Sequence, residues 1–275
     1  MKSSWSHQLG DAYRKAVSVF TAVETTSQFE AKGTLTVAEF LEAGDALVFK
    51  FPTWQWAPAS EKKLQKDYLP ADKQLLVTRH VPCEQRVADL DRLAVLATEG
   101  SDDCWFVGDE PIPNHPPSAK SAPVLKVVDE YSRLDQELGG EQEDVVVRRV
   151  EQDERELRNY DLSITWDKFY QTPRLWLRGY RGSGEALSEK EVKEDVLSAY
   201  ASKTVTMEIH PGTGEVTASI HPCKHAEMMK RVINTWKEKN IPIRSDLCLF
   251  VFLKFISGVV PTINYDFTFD LEMNQ

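Results

Sequence analysis

One acidic segment interrupts this chain, and any fold the chain adopts must close around it. Between Glu84 and Arg158 there are 19 Asp and Glu against 9 Lys and Arg. That difference equals the net charge of the whole 275-residue chain, −10, and leaves 24 residues of each sign elsewhere. Within the segment, "GDEPIPNHPPSAKSAP" and "LGGEQED" are rich in Pro, Gly and charge and poor in aromatic residues. Such stretches bury too little apolar surface to offset the entropy of ordering them. Residues 84–158 are therefore expected to form a disordered acidic insert, at its simplest a solvated spacer. The core must then be assembled from residues on both sides of it.

With 41% hydrophobic and 10% aromatic residues, the remainder can bury one sizeable core. The net negative charge argues against nucleic acid as a partner. No apolar run approaches the roughly 20 residues that span a bilayer, and no secretory signal peptide is expected. Cys83, Cys104, Cys223 and Cys248 are scattered without a C-x-x-C pair, which fits a cytosolic protein with reduced thiols.

Local patterns suggest the elements. Over residues 1–23, Trp5, Leu9, Tyr13, Val17 and Phe20 fall on one arc of a helix advancing about 100° per residue. Such a helix can dock on its own domain or lie in a membrane interface, for which Lys2, Arg14 and Lys15 are suitable flanks. Thr36 can cap a short helix carrying Phe40 and Leu41, with Gly44 as its stop. "WQWAP" reads as a turn, and "KQLLVTRHVPC" as a strand that Pro82 ends. Tyr160, Leu162, Ile164 and Trp166 alternate as in a half-buried strand. "TPRLWLRGYR" follows as the next, with Leu175 and Leu177 opposite Trp176. "LSEKEVKEDVLSAY" reads as one helix opened by a Ser188–Glu191 capping box. "KTVTMEIH" and "EVTASIH" read as strands joined by a glycine turn. "AEMMKRVINTWKEKN" and the apolar "DLCLFVFLKFISGVV" read as helices, with Cys248 as an inert core residue.

Chemistry concentrates in "SIHPCKHAEMMKRV". Cys223 follows His221 and Pro222 and precedes a helix starting near His225. A helix start offers unpaired N–H groups and the positive end of a dipole, which favour a thiolate, the form that attacks a thioester. The bland alternative is a partly buried free thiol. Metal ligation by His221, Cys223 and His225 is disfavoured, because no second ligand pair is evident. A Cys–His hydrolase remains open, although no hydrolase signature is present. His221, beside a proline, suits structural hydrogen bonding better than proton handling.

The blocks "PTWQW", "YLPADKQLLVTRHVPC", "YDLSITWDKFYQTPRLWLRGY", "KTVTMEIHP", "SIHPCKHAEMMKRV" and "FLKFISGVVPTINYDF" occur in that order. Together they resemble the ubiquitin-conjugating-like enzymes of autophagy, over nearly the whole chain outside the insert. The resemblance implies an α+β, ubiquitin-conjugating-enzyme-like fold, a four-stranded antiparallel sheet flanked by helices, as a core over residues 24–275. It implies that Cys223 carries a ubiquitin-like modifier as a thioester and that the modifier passes to phosphatidylethanolamine. Thr204 matches a threonine associated with orienting that cysteine. The residue 1–23 helix would sense membranes, and the insert would dock the activating enzyme and the modifier. The autophagy ligase-like complex is a further implied partner, and no metal or organic cofactor is implied. The implied location is cytoplasmic, with transient attachment to autophagosome precursor membranes. Two departures stand out. The Asn that follows His-Pro in general ubiquitin-conjugating enzymes is replaced by the cysteine itself. The Trp-x-x-Leu motif that some members carry before the last helix is also missing. Tyr131 and Leu134, behind Asp129 and Glu130, have aromatic-x-x-aliphatic spacing and offer a substitute modifier-binding motif.

Overall fold

In the computed structural model, the described residues are 23–83, 85–90 and 157–264. The chain divides into one unit formed by Met1–Val87 with Glu156–Gln275 and another formed by Ala88–Arg155. The expected N-terminal helix with Trp5, Leu9, Tyr13, Val17 and Phe20 lies outside the described residues, as do most of the acidic insert and its Tyr131 and Leu134.

A six-stranded antiparallel sheet organises the unit, in the order β1-β2-β3-β4-β6-β5. The strands are β1 (Gln55–Ala57), β2 (Leu75–Cys83), β3 (Arg158–Asp167), β4 (Thr172–Arg181), β5 (Val205–Ile209) and β6 (Val216–Ile220). The α+β class is as expected, but the sheet has six strands where four were expected. One addition is β1, from the segment read as a turn. Gln55, Trp56 and Ala57 pair with Val77, Leu76 and Leu75, and Trp54 beside them is fully buried. At the other edge, β5 pairs with β6 over five residues.

β3 and β4 pair over all ten of their residues, from Arg158↔Arg181 to Asp167↔Thr172. Because paired residues share a face, Leu162 meets Leu177 and Ile164 meets Leu175, and all four are buried with Tyr160 and Trp166. The same core takes Met229, Ile233 and Trp236 from α5 (His225–Glu238) and Phe252, Leu253 and Ile256 from α6 (Cys248–Val259). The opposite face carries Thr165, Arg174, Trp176 and Ser219. β2 does not stop at Pro82. Its pairing with β1 covers only residues 75–77, and beyond that the Asn264 N–H donates to the Pro82 carbonyl at 3.0 Å, a contact that needs no proline N–H.

α1 (Phe29–Lys32) precedes α2 (Val37–Lys50), which opens on a capping box. The Glu39 N–H donates to Thr36 Oγ1 at 3.2 Å, and the Thr36 N–H donates to Glu39 at 2.8 Å. α2 runs through Gly44 instead of stopping there. A Cβ at Gly44 would overlap the Trp56 ring, so this glycine serves a close approach and not a helix end. The helix expected from Ser188 onward is two helices, α3 (Glu189–Glu194) and α4 (Ser198–Thr204), and its capping box is present. The break is at Asp195, whose side chain is drawn into the interior.

Asp195 is fully buried. Its Oδ2 accepts from the Tyr160 hydroxyl at 2.5 Å and from Arg158 at 2.9 Å, and its Oδ1 lies 3.4 Å from Arg86 Nε. The Thr262 hydroxyl donates to its main-chain oxygen at 2.6 Å. Burial raises the Asp195 carboxyl, while Tyr160 and the two arginines favour its charged form. The cluster thus joins the end of β2, the start of β3 and the segment after α6.

Helix propensity alone gives Ala an advantage of about 1 kcal/mol over Gly at a helix interior. At Gly44 the Trp56 ring reverses that sign, so Gly44→Ala is expected to lower the thermal midpoint. Gly44→Ala combined with Trp56→Leu should recover most of the loss. A stabilised single variant in thermal denaturation would show that the ring yields easily.

Candidate active site

β6 ends at Ile220 opposite Val205, and the chain then turns once through a 3-10 turn, Pro222–Lys224, into α5. Three contacts fix that turn. The His221 N–H donates to the Thr204 carbonyl at 2.8 Å, extending the β5–β6 ladder by one bond. The Cys223 N–H donates to His221 Nδ1 at 3.3 Å, satisfying one of the N–H groups exposed where a helix begins. Downstream, His225 is 2% exposed, and its Nδ1 bonds the Pro173 carbonyl on β4 at 2.9 Å. The turn is therefore held to Thr204, just before β5, on one side and to β4 on the other.

Cys223 itself is exposed, whereas Cys83 and Cys248 are buried. Burial pushes the Cys83 thiol up to about 11 and the Cys248 thiol well above its ordinary value, so both stay protonated. Thr204, His221 and Cys223, separated in sequence, meet at one corner of the sheet. Thr204 ends α4, and its hydroxyl donates to the Tyr200 carbonyl at 2.8 Å. Its link to the turn is through the main chain. Lys224 points outward and pairs with Glu227 at 3.1 Å.

Two residues of the corner escaped the sequence reading. Tyr170 sets its ring edge-on to His221 at 5.5 Å. His225, which the sequence places only at the helix start, is a core residue packed edge-on against Phe252 and Phe255. The available signal was its spacing of three and four residues from the buried Met228 and Met229, the period of an inward helix face. Among the described residues no group of three or more His, Cys, Asp or Glu side chains could hold a metal ion.

Beside this corner the outer sheet face forms a cleft of about 510 Å³ whose lining includes Tyr170 and His221. Its floor is an ordered polar layer. Arg174 is 7% exposed and lies over the Trp176 ring, 4.6 Å from its centroid. It donates to Ser219 Oγ at 2.6 Å, reaches Asp167 at 3.5 Å and pairs closely with Glu208. The Trp176 indole N–H donates to Thr165 at 2.8 Å. His210 accepts the Gly212 and Thr213 N–H groups on Nδ1 at 3.0 and 3.1 Å, which leaves its Nε2 proton for Ser163 at 2.9 Å.

The family profile described as "Autophagocytosis associated protein, active-site domain" matches residues 39–267, a span that contains the whole corner. Autophagy-related protein 3 of Arabidopsis thaliana is 36% identical, with 98% of each chain covered. The Dictyostelium discoideum protein of that name is 32% identical, covering 99% of this chain and all of its own. The Schizosaccharomyces pombe protein is 37% identical over 90% of this chain and 93% of its own. The chain belongs to the autophagy-related protein 3 family. It is accordingly a ubiquitin-conjugating-like enzyme of autophagy. Two histidines of this chain, His210 under the cleft and His225 beneath the corner, are held neutral by burial.

Burial lowers His210 and His225 to about 4, with Arg174 adding to the shift at both. An unfolded histidine titrates near 6.5. Between those values the unfolded chain binds more protons than the folded one, so stability is full above about pH 6.5 and falls as pH drops toward 4. At pH 5 each histidine costs on the order of 2 kcal/mol. Urea unfolding at pH 7 and pH 5 should show this loss, and His210→Gln should remove about half of it. An equal loss in that variant would place the acid sensitivity elsewhere.

Proposed function

We propose that Cys223 accepts a ubiquitin-like modifier as a thioester and that the modifier's C-terminal glycine is then passed to the amine of phosphatidylethanolamine. The observation that carries this reading is the exposed Cys223 thiol on a turn clamped from both sides, while the other described cysteines are buried. In the first step the Cys223 thiolate attacks the modifier's thioester on the activating enzyme. A new carbon–sulfur bond forms at Cys223, and the activating enzyme leaves as a thiolate. In the second step a neutral lipid amine attacks the Cys223 thioester, an amide forms, and Cys223 leaves as a thiolate. The amine's proton passes to a base or to water.

His221 and Thr204 act in this reading as positioning residues. His221 Nδ1 is committed to the Cys223 N–H, and the Thr204 carbonyl to the His221 N–H. The helix at residues 1–23 would lay Trp5, Leu9, Tyr13, Val17 and Phe20 in the membrane interface, raising the local concentration of lipid amine. The insert would receive the activating enzyme and the modifier, with Tyr131 and Leu134 as one contact. The protein would work from the cytoplasm, transiently attached to autophagosome precursor membranes. Nucleotide is consumed at the activating enzyme, so no cofactor is assigned to this chain.

Incubation with the activating enzyme, nucleotide and modifier should give an adduct that reductant removes, and Cys223→Ala should abolish it. Cys223→Ser should give a reductant-resistant oxyester. A wild-type protein that forms neither adduct would be a scaffold that binds modifier without carrying it. Release of modifier from lipid would mark a hydrolase.

Leu9→Asp tests the membrane step separately. It should reduce transfer to phosphatidylethanolamine vesicles by about tenfold, with the loss confined to that step. Equal loss of loading would point to misfolding, and undiminished transfer would remove the helix from the mechanism.

A further inference from the structure

The cleft beside His221 carries a surplus of positive charge. Its two lining carboxylates, Asp167 and Glu208, are already engaged by the buried Arg174. Its other two cations, Lys66 and Lys168, are half-buried and pair with no carboxylate among the described residues. Lys168 instead sits over the Tyr68 ring, 5.6 Å from its centroid. Tyr68 is pushed up to about 12, first by burial and then by Asp167 and Asp67, so its hydroxyl stays a donor. An aromatic wall backs these groups, with Tyr68 edge-on to Trp166 at 5.5 Å. A half-open apolar recess with a few convergent donors and surplus positive charge suits a small anionic ligand. At about 510 Å³ it falls in the range of small-molecule sites.

We propose that this cleft seats the phosphodiester of an amine-bearing headgroup, with Lys66 and Lys168 on the phosphate and the amine directed past His221 toward Cys223. The proposal rests on the reading of Cys223 as the acyl carrier. His221 connects the two places, because it lines the cleft and also holds the Cys223 amide. The arrangement would contribute twice. Seating the headgroup converts a bimolecular attack into a positioned one. The nearby ammonium groups also disfavour a protonated amine, and only the neutral amine attacks. Arg174, held by three partners, would keep the floor rigid and is not itself assigned to the ligand.

The test uses the full chain and soluble acceptors. Thioester-loaded protein is discharged in single turnovers with glycerophosphoethanolamine or with ethanolamine. The wild type should prefer the phosphodiester, and the ratio of its second-order discharge rate constant to that for ethanolamine should fall about tenfold in Lys66→Glu/Lys168→Glu. Lys62→Glu, a charge reversal on the same loop outside the cleft, should leave the ratio unchanged. An unchanged ratio in the double variant, or an equal fall in Lys62→Glu, overturns the proposal. A second arm needs no thioester. Glycerophosphoethanolamine titrated into unloaded protein should shift the NMR signal of the Trp176 indole N–H in the wild type and not in the double variant. Inorganic phosphate, run in parallel, shows whether the phosphate alone suffices. No shift with either probe refutes the cleft as a phosphate site. A protein that never loads but still shows the shift sinks the carrier reading and leaves the site standing.

Discussion

A single buried carboxylate holds the two halves of this chain together. Asp195 faces Arg86, just beyond β2, and Arg158, at the first residue of β3. Those two arginines stand near the two ends of the acidic stretch, so the ion cluster closes the long excursion between them. Closing a loop costs entropy that grows only slowly with its length. A fixed cluster at its base can therefore tolerate a long insertion. The cluster also recruits Tyr160 from the core face of β3 and Thr262 from the segment after α6. Removing one partner from such a group strands a buried charge and costs about 3–5 kcal/mol. The same contact interrupts the helix after Ser188, which starts α4 where its last residue, Thr204, can meet His221.

The sheet built on that closure separates two kinds of surface. One face of β3 and β4 is apolar and carries the helices. The other is a polar layer around Arg174, Trp176 and His210, satisfied by hydrogen bonds and ring contacts. The cysteine corner lies at the end of β6, where the two faces meet in one tight turn. Its neighbouring histidines divide the work of holding that turn. His221 reaches forward to the Cys223 amide, and His225 reaches back to the Pro173 carbonyl. Each uses Nδ1, one as an acceptor and the other as a donor, which requires opposite tautomers.

Much of the fold was legible before any coordinates. β3 followed from strict alternation, whereas β4 was read as the next strand and proves to be buried on both faces over residues 172–177. The Thr36 cap and the Ser188–Glu191 capping box followed from residue type and spacing, while the Glu39 half of the box at Thr36 came from the structure. Errors came where a residue's local meaning was overruled by a distant partner. Gly44 reads as a helix stop, yet it exists to admit the Trp56 ring. Pro82 reads as a strand end, yet β2 runs past it, paired with Asn159 on β3 and accepting the Asn264 N–H on its carbonyl. "WQW" reads as a turn, yet its backbone finds β2.

The site shows the same division. Sequence by itself determined the cysteine, its His-Pro approach and the helix that follows, because these are short-range features of neighbouring residues. It also determined that the core must form around an acidic interruption, since charge and composition are properties of the chain alone. Only the tertiary structure decided that Thr204 meets His221, that His225 is buried and neutral, and that Lys66 and Lys168 share a cleft with His221. These facts depend on strand register and on which groups lose contact with water. Register and desolvation arise from the whole packed sheet and cannot be read from any local run of residues.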